Sequence, residues 1–254
     1  MPAVCKTPSD FDRRKVSLKG KSILISGATT DIGHSLSLSL AEQGATLLLV
    51  ARKGKSLNTL YDLIIDQGGA EPLIIEMDLT QAQEDQFAIL LNGLEKTFPA
   101  LHGLVHLSLC GAPLAPISLT TTNTWQQCHD LALVRPMTLT RTLLPLLQKS
   151  DSASVIFNTL SAGRQGRAYW GALGAACAGL ENLSQTLAQE VDNVRFNTLD
   201  IGKVSTDLRH KFYPAEANST LRKVNDKLVH DYFLYLLTEE SKNITGKQFR
   251  IPDL

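Results

Sequence analysis

The chain has 254 residues, a length one α/β domain fills around one core, and its 43% hydrophobic and 20% charged residues argue against disorder. Lys plus Arg number 25 and Asp plus Glu number 25, so no net field draws the chain to nucleic acid or to an acidic membrane surface, and its expected partners are small molecules or proteins. Cys5, Cys110, Cys128 and Cys177 show neither zinc spacing nor disulfide density, the N-terminus lacks a signal-peptide core, and no stretch approaches 18 uninterrupted apolar residues; a cytoplasmic chain that does not span a membrane is expected.

After a polar arm over residues 1–20, short runs rich in Ile, Leu and Val alternate with segments of helical periodicity. The runs are Ile23–Ser26, Thr46–Val50, Leu73–Met77, Gly103–Leu107, Ser154–Asn158 and Arg195–Leu199, each read as a parallel strand buried on both faces, and Gly246–Ile251 is read as an edge strand. Leu57, Leu60, Tyr61 and Ile64 form one helical stripe; Phe87, Leu90, Leu91, Leu94 and Phe98 form another. This order predicts a single Rossmann-type domain over residues 21–254, a doubly wound parallel sheet flanked by helices, with ligands beyond the carboxyl ends of the strands. The polar region from Lys203 to Val229, which contains Pro214, is read as a lid or insertion over those ends.

The first strand runs into Ser26–Gly33, S-G-A-T-T-D-I-G, and then into a helix, the place where a glycine turn cradles a pyrophosphate. The pattern resembles the T-G-x-x-x-G-x-G of short-chain dehydrogenases/reductases. Gly27 and Gly33 match it, whereas Asp31 stands where the middle glycine belongs. A carboxylate about 4 Å from a phosphate charge costs roughly 1 kcal/mol in water and ~4 at an effective dielectric of 20. Asp31 either opposes a nucleotide in this way or simply N-caps the helix. Arg52 and Lys53 follow the second strand with no acidic residue to receive a ribose 2′-hydroxyl, so they either select a 2′-phosphate or are solvated surface cations. Asp78 matches the family's acidic residue beside the adenine, or is a turn residue, and Thr206 either touches a cofactor amide or caps a helix. The resemblance thus nominates Gly27, Thr29, Gly33, Arg52, Asp78 and Thr206 for cofactor binding, with no resident cofactor expected and NADP preferred over NAD for any that binds. Leu107-Ser108-Leu109 replaces the family's N-A-G.

From Leu143 to Glu190, including G-R-Q-G-R-A-Y-W-G-A, the chain is similar to the YciK-like branch of bacterial short-chain dehydrogenases. In that family a tyrosine serves as general acid/base and a lysine lowers its pKa, a serine holds the substrate carbonyl, and an asparagine completes the set. The matching positions here are Leu173, Cys177, Leu160 and Ala132, so no catalytic residue is nominated. Ser161 is one place off, on the opposite face of a strand, and Tyr169, one helical turn before Leu173, is the nearest phenol. Loss of general acid/base catalysis costs about 10² to 10⁴ in rate. Cys177 amid small residues reads as packing, and His34, His102, His106 and His129 form no metal-ligand pattern; His102 and His106 fall at opposite ends of a strand. Pro136, four residues after Ala132, is expected to break helical hydrogen bonding there. These losses point to a non-catalytic member with a structural or regulatory role, and the resemblance implies association as a homo- or hetero-oligomer through helices over 122–147 and 171–191. The alternatives are an NADP-dependent oxidoreductase with a relocated acid and an NADP(H)-binding sensor.

Overall fold

The computed structural model describes residues 11–52 and 54–254; Cys5 and Lys53 lie outside the described residues. Within them, β1 (Ser22–Ser26), β2 (Thr46–Ala51), β3 (Leu73–Glu76), β4 (Gly103–His106), β5 (Ala153–Thr159), β6 (Val194–Asp200) and β7 (Gln248–Arg250) pair in parallel in the order β3-β2-β1-β4-β5-β6-β7. This is the predicted doubly wound sheet in a single domain.

Strand alternation divides the core into two layers. Ile23, Ile25, Leu47 and Leu49 pack toward α1 (Asp31–Glu42), α2 (Lys55–Asp66) and α8 (Lys227–Leu237), meeting Leu36, Leu60 and Phe233. Leu24, Leu48, Val155 and Phe196 face the other layer, under α3 (Glu84–Thr97), α5 (Arg135–Leu147) and α6 (Gly171–Glu190), with Phe87, Leu143 and Leu180. Each such side chain, fully buried, stabilises the fold by about 1.5–3 kcal/mol. The α2 stripe buries Leu57, Leu60 and Ile64 and leaves Tyr61 half-buried, its hydroxyl donating to Glu71 Oε1 at 2.7 Å.

One strand departs from expectation. β3 is not buried on both faces: Leu73 and Glu76 are exposed, because β3 is the edge of the sheet opposite β7. The described part of the N-terminal arm is docked, with Leu18 buried, the Arg13 guanidinium donating to Ser39 Oγ at 2.9 Å, and Phe11 edge-on to Tyr235.

The long helix predicted over 122–147 is continuous but changes pitch. α4 (Thr122–His129) passes into a π-helical turn, Asp130–Val134, closed by the Arg135 amide donating to the Asp130 carbonyl, and then into α5. Pro136 has no N–H to give the Ala132 carbonyl; the wider turn absorbs that loss. The region from Lys203 carries a short helix, α7 (Asp207–Phe212), over the strand ends.

Candidate functional site

Both matching glycines are required sterically. Gly27 adopts φ +82°, and a Cβ on Gly33 would lie 2.2 Å from the Gly27 carbonyl oxygen, which pins α1 against the turn. The α1 N-cap is Thr30 rather than Asp31: Thr30 Oγ1 accepts from the Gly33 amide at 3.1 Å and donates to the Gly27 carbonyl at 2.8 Å. Capping by Asp31 is therefore corrected. Asp31 is the first helical residue, and its Oδ2 accepts the backbone N–H of Asp207, the first residue of α7, at 2.7 Å. Thr206 is the α7 N-cap, its Oγ1 accepting from the Arg209 amide at 3.1 Å.

Two clefts open beyond the carboxyl ends of the strands and meet at Thr30 and Leu109. The first, about 220 Å³, gathers Gly27, Thr29, Arg52, Asp78 and Ser108. Four of the six nominated residues thus surround one space, while Gly33 packs beneath the turn and Thr206 borders the second cleft. Asp78 acts as a turn residue there, its Oδ1 accepting from the Thr80 amide at 2.9 Å and the Thr80 hydroxyl at 2.7 Å. The second cleft, about 150 Å³, lies under α7 between Leu107, Leu160, Trp170, Val204, Leu208 and Phe212, with Asn158 at the end of β5.

Three of the four positions that would carry hydride-transfer chemistry have become core, and the fourth packs against them. Ala132, Leu173 and Cys177 are buried in one apolar cluster with Cys128, Trp170 and Ala176; Leu160 packs against it and walls the second cleft. Burial pushes the Cys177 thiol up to about 12, against hydrogen bonds involving Thr159 and the Leu160 backbone that lower it. Such a thiol is not a nucleophile at neutral pH. Ser161 sits in a 3-10 turn and lines neither cleft. Tyr169 is 59% exposed with φ 74°, and also lines neither. His106 ends β4, with His102 just before that strand. It stacks on Phe157, with Ser26 Oγ 3.2 Å from Nδ1 and Thr140 Oγ1 2.9 Å from Nε2, and burial lowers its pKa to about 3. It is a neutral packing residue. Among the described residues no cluster of His, Cys, Asp and Glu can hold a metal ion, and no helix is long and apolar enough to cross a membrane.

Sequence reasoning passed over two polar residues. Asn158 is buried, lines the second cleft, and its Oδ1 has no hydrogen-bond partner; its signal was an amide directly after the apolar run Val155, Ile156 and Phe157. Glu181, in the middle of α6, accepts from Arg164 Nε at 2.8 Å, Thr159 Oγ1 at 3.2 Å and Gln248 Nε2 at 2.9 Å. Burial raises its pKa while Arg164 opposes the rise. This network ties α6 to β5 and β7 and stands apart from both clefts.

The small residues of α6 are partly spent inside the chain. A Cβ on Gly179 would come 2.9 Å from Leu133 Cδ2, and one on Gly174 2.9 Å from the Ala162 carbonyl oxygen. Ala175, Ala178 and Asn182 remain exposed along one face.

The fit to a dinucleotide is divided. The first cleft offers a space and a cation suited to the adenosine half, but the α1 N-terminus, where a pyrophosphate belongs, already has a carboxylate bonded across it to α7.

A sequence profile of the short chain dehydrogenase family matches residues 21–217. The chain is 30% identical over 233 residues to the uncharacterized oxidoreductase YciK of Escherichia coli K12, covering 91% of this chain and 92% of that one. It superposes with TM-score 0.91 and 34% identity on a Pseudomonas syringae structure provisionally assigned to the short chain dehydrogenases, covering 95% and 98% of the two chains. A structure from Escherichia coli CFT073 solved with NADPH matches with TM-score 0.88 and 30% identity, covering 91% and 96%.

Proposed function

We propose that this chain, which belongs to the short chain dehydrogenase family, is a non-catalytic member with a structural or regulatory role. The observation that carries this reading is the burial of Ala132, Leu173 and Cys177 in one apolar cluster against Leu160. Aliphatic side chains neither donate nor accept a proton, burial holds the Cys177 thiol protonated, and in the second cleft the Asn158 amide is no acid or base at neutral pH while Thr30, Thr206, Asp31 and Arg209 are each engaged in caps or pairs. The role is exercised through association with a second copy or another protein along α4–α5 and α6, where Ala175, Ala178 and Asn182 offer a small-residue face.

The test is a titration of the purified chain with NADPH and NADH, followed by nucleotide fluorescence, and then a carbonyl-substrate screen, with light scattering for the oligomer. No hydride transfer supports the reading. NADPH consumption coupled to carbonyl reduction overturns it and restores the oxidoreductase alternative.

A second reading, an NADP(H) sensor, is favoured by the gathering of Arg52 and Asp78 about the first cleft, and by the relative that was solved with NADPH. Tight NADPH binding without turnover selects it.

A further inference from the structure

A serine inside a helix commonly gives its hydroxyl to the carbonyl one turn back. Ser37 does so in α1, donating to the Gly33 carbonyl at 2.7 Å. Ser35 is bonded elsewhere: its Oγ lies 3.0 Å from Nε2 of His230 on α8, a contact spanning 195 residues.

His230 is 6% exposed, and its ring is also hydrogen-bonded to the backbone of Val224. A neutral imidazole has one N–H and one bare nitrogen. The Val224 carbonyl takes the N–H, which leaves Nε2 to accept the Ser35 hydroxyl. Burial and then Arg13 lower the pKa of His230, with Val224, Asp226 and Glu42 opposing, so the ring is neutral at pH 7 and Nε2 can take a proton.

The pair is reached from outside. Ser35 is half-buried and lines an opening of about 700 Å³ together with His34, Leu38, Lys223, Val224 and Asn225. This opening meets both clefts at Thr30 and follows the face of α1 that carries His34, Ser35 and Leu38. Leu38 and Val224 make part of its wall apolar, while Lys223 and Asn225, exposed on the loop before α8, bring hydrogen-bond donors. A hydroxyl bonded to a base, a base oriented by a third group, and donors at the same opening are the parts of an activated serine nucleophile.

We infer that Ser35 and His230 form a nucleophile–base pair that hydrolyses small carboxylic esters with short acyl chains. Ser35 Oγ bonds to the ester carbonyl carbon as its proton passes to His230 Nε2, and Lys223 and Asn225 are the donors at hand for the resulting oxyanion. The bond to the leaving oxygen then breaks, and that oxygen takes the proton from Nε2 and departs as an alcohol. Water attacks the acyl-serine and gives a proton to Nε2; the carboxylic acid leaves, and the proton returns to Ser35 Oγ. This activity lies beyond the reading above, which concerns the hydride-transfer positions, and either stands without the other.

The full chain is assayed with p-nitrophenyl acetate and p-nitrophenyl octanoate. Separately it is treated with a fluorophosphonate, which phosphonylates activated serines, and its peptides are read by mass spectrometry. Expected are saturable hydrolysis of the acetate, slower hydrolysis of the octanoate, and a phosphonate on Ser35. Ser35→Ala falls to the rate of the uncatalysed reaction, and His230→Gln, which lacks the base, loses about 10²- to 10⁴-fold in rate while melting with the wild type. Labelling is read on the wild type, so the inference stays testable should either variant fail to fold. An unlabelled Ser35, a phosphonate on another serine instead, or a Ser35→Ala chain as fast as the wild type overturns it; octanoate turned over faster than acetate overturns the short-chain assignment. Carbonyl reduction with NADPH by the same protein would sink the non-catalytic reading alone, and an unreactive Ser35 would sink this inference alone.

Discussion

The carboxylate of Asp31 and the backbone amide of Asp207 meet at 2.7 Å across 176 residues of sequence. One side chain thereby supplies an anion to the N-terminus of α7 while standing at the N-terminus of α1, the two helix ends that border the second cleft.

Removing that carboxylate should favour a phosphorylated ligand at α1. Asp31→Gly is expected to bind NADPH about tenfold more tightly than the wild type, a change of ~1.4 kcal/mol, within the span of a single charge pair at about 4 Å. Hydrogen exchange at the Asp207 amide should quicken in the same variant as its acceptor is lost. Equal NADPH affinities for wild type, Asp31→Gly and Asp31→Asn would show that the carboxylate does not oppose the nucleotide.

Restoring the family's lysine should damage the fold before it restores chemistry. Cys177 is wholly buried beside Leu173 and Ala132, and Glu181, four residues on, is already held by Arg164, Thr159 and Gln248. Cys177→Lys is expected to destabilise by about 3 kcal/mol or more, lowering Tm by roughly 6–12 °C. Iodoacetamide should leave Cys177 unmodified in the folded chain at neutral pH, since its thiol is pushed up to about 12, and modify it after denaturation, as mass spectrometry will read. A Cys177→Lys protein that melts with the wild type would reveal a polar environment there after all.

Acid should weaken the protein through histidines buried in neutral form. His106 falls from 6.5 to about 3 on burial, so below pH 6.5 the unfolded chain binds a proton that the folded chain refuses, and stability declines steadily as pH falls from 6.5 toward 3. His230, lowered by burial and by Arg13, adds in the same direction. Glu181 and Asp200, raised by burial, act oppositely, gaining stability as pH falls through their folded values. Denaturant melts from pH 7 to 5 should show declining stability, and His106→Gln should flatten the decline by up to about 1.4 kcal/mol per pH unit. An unchanged slope would remove His106 from the account.

Gly33→Ala tests the glycine turn. The added Cβ would lie 2.2 Å from the Gly27 carbonyl oxygen and 2.9 Å from the Ala28 backbone, neither of which is a flexible side-chain end, and a loss of about 1–3 kcal/mol is expected. Gly93→Ala, inside α3 with nothing within 4 Å of the new Cβ, should instead stabilise by about 0.5–1 kcal/mol. Comparable thermal melts for the two variants would contradict the packing described at the turn.

Much of this molecule is written in stretches short enough to read in order. Alternating apolar runs and 3.6-residue stripes determine strands and helices because burial acts on neighbouring side chains at a fixed period, and the parallel sheet follows from the crossover lengths. The absence of proton-transferring groups at Leu160, Leu173, Cys177 and Ala132 was equally legible, since it concerns residue identity. What these positions become was not: only the packed chain decides that they join one apolar cluster, that Thr30 caps α1 and so leaves Asp31 to bond α7, and that Asn158 is left unsatisfied beside a cleft. The edge exposure of β3 and the π turn before Pro136 belong to the same class. A hydrogen bond spanning 176 residues depends on where the chain returns, and the fate of a polar atom depends on every element packed around it; neither is a property of any local segment of sequence.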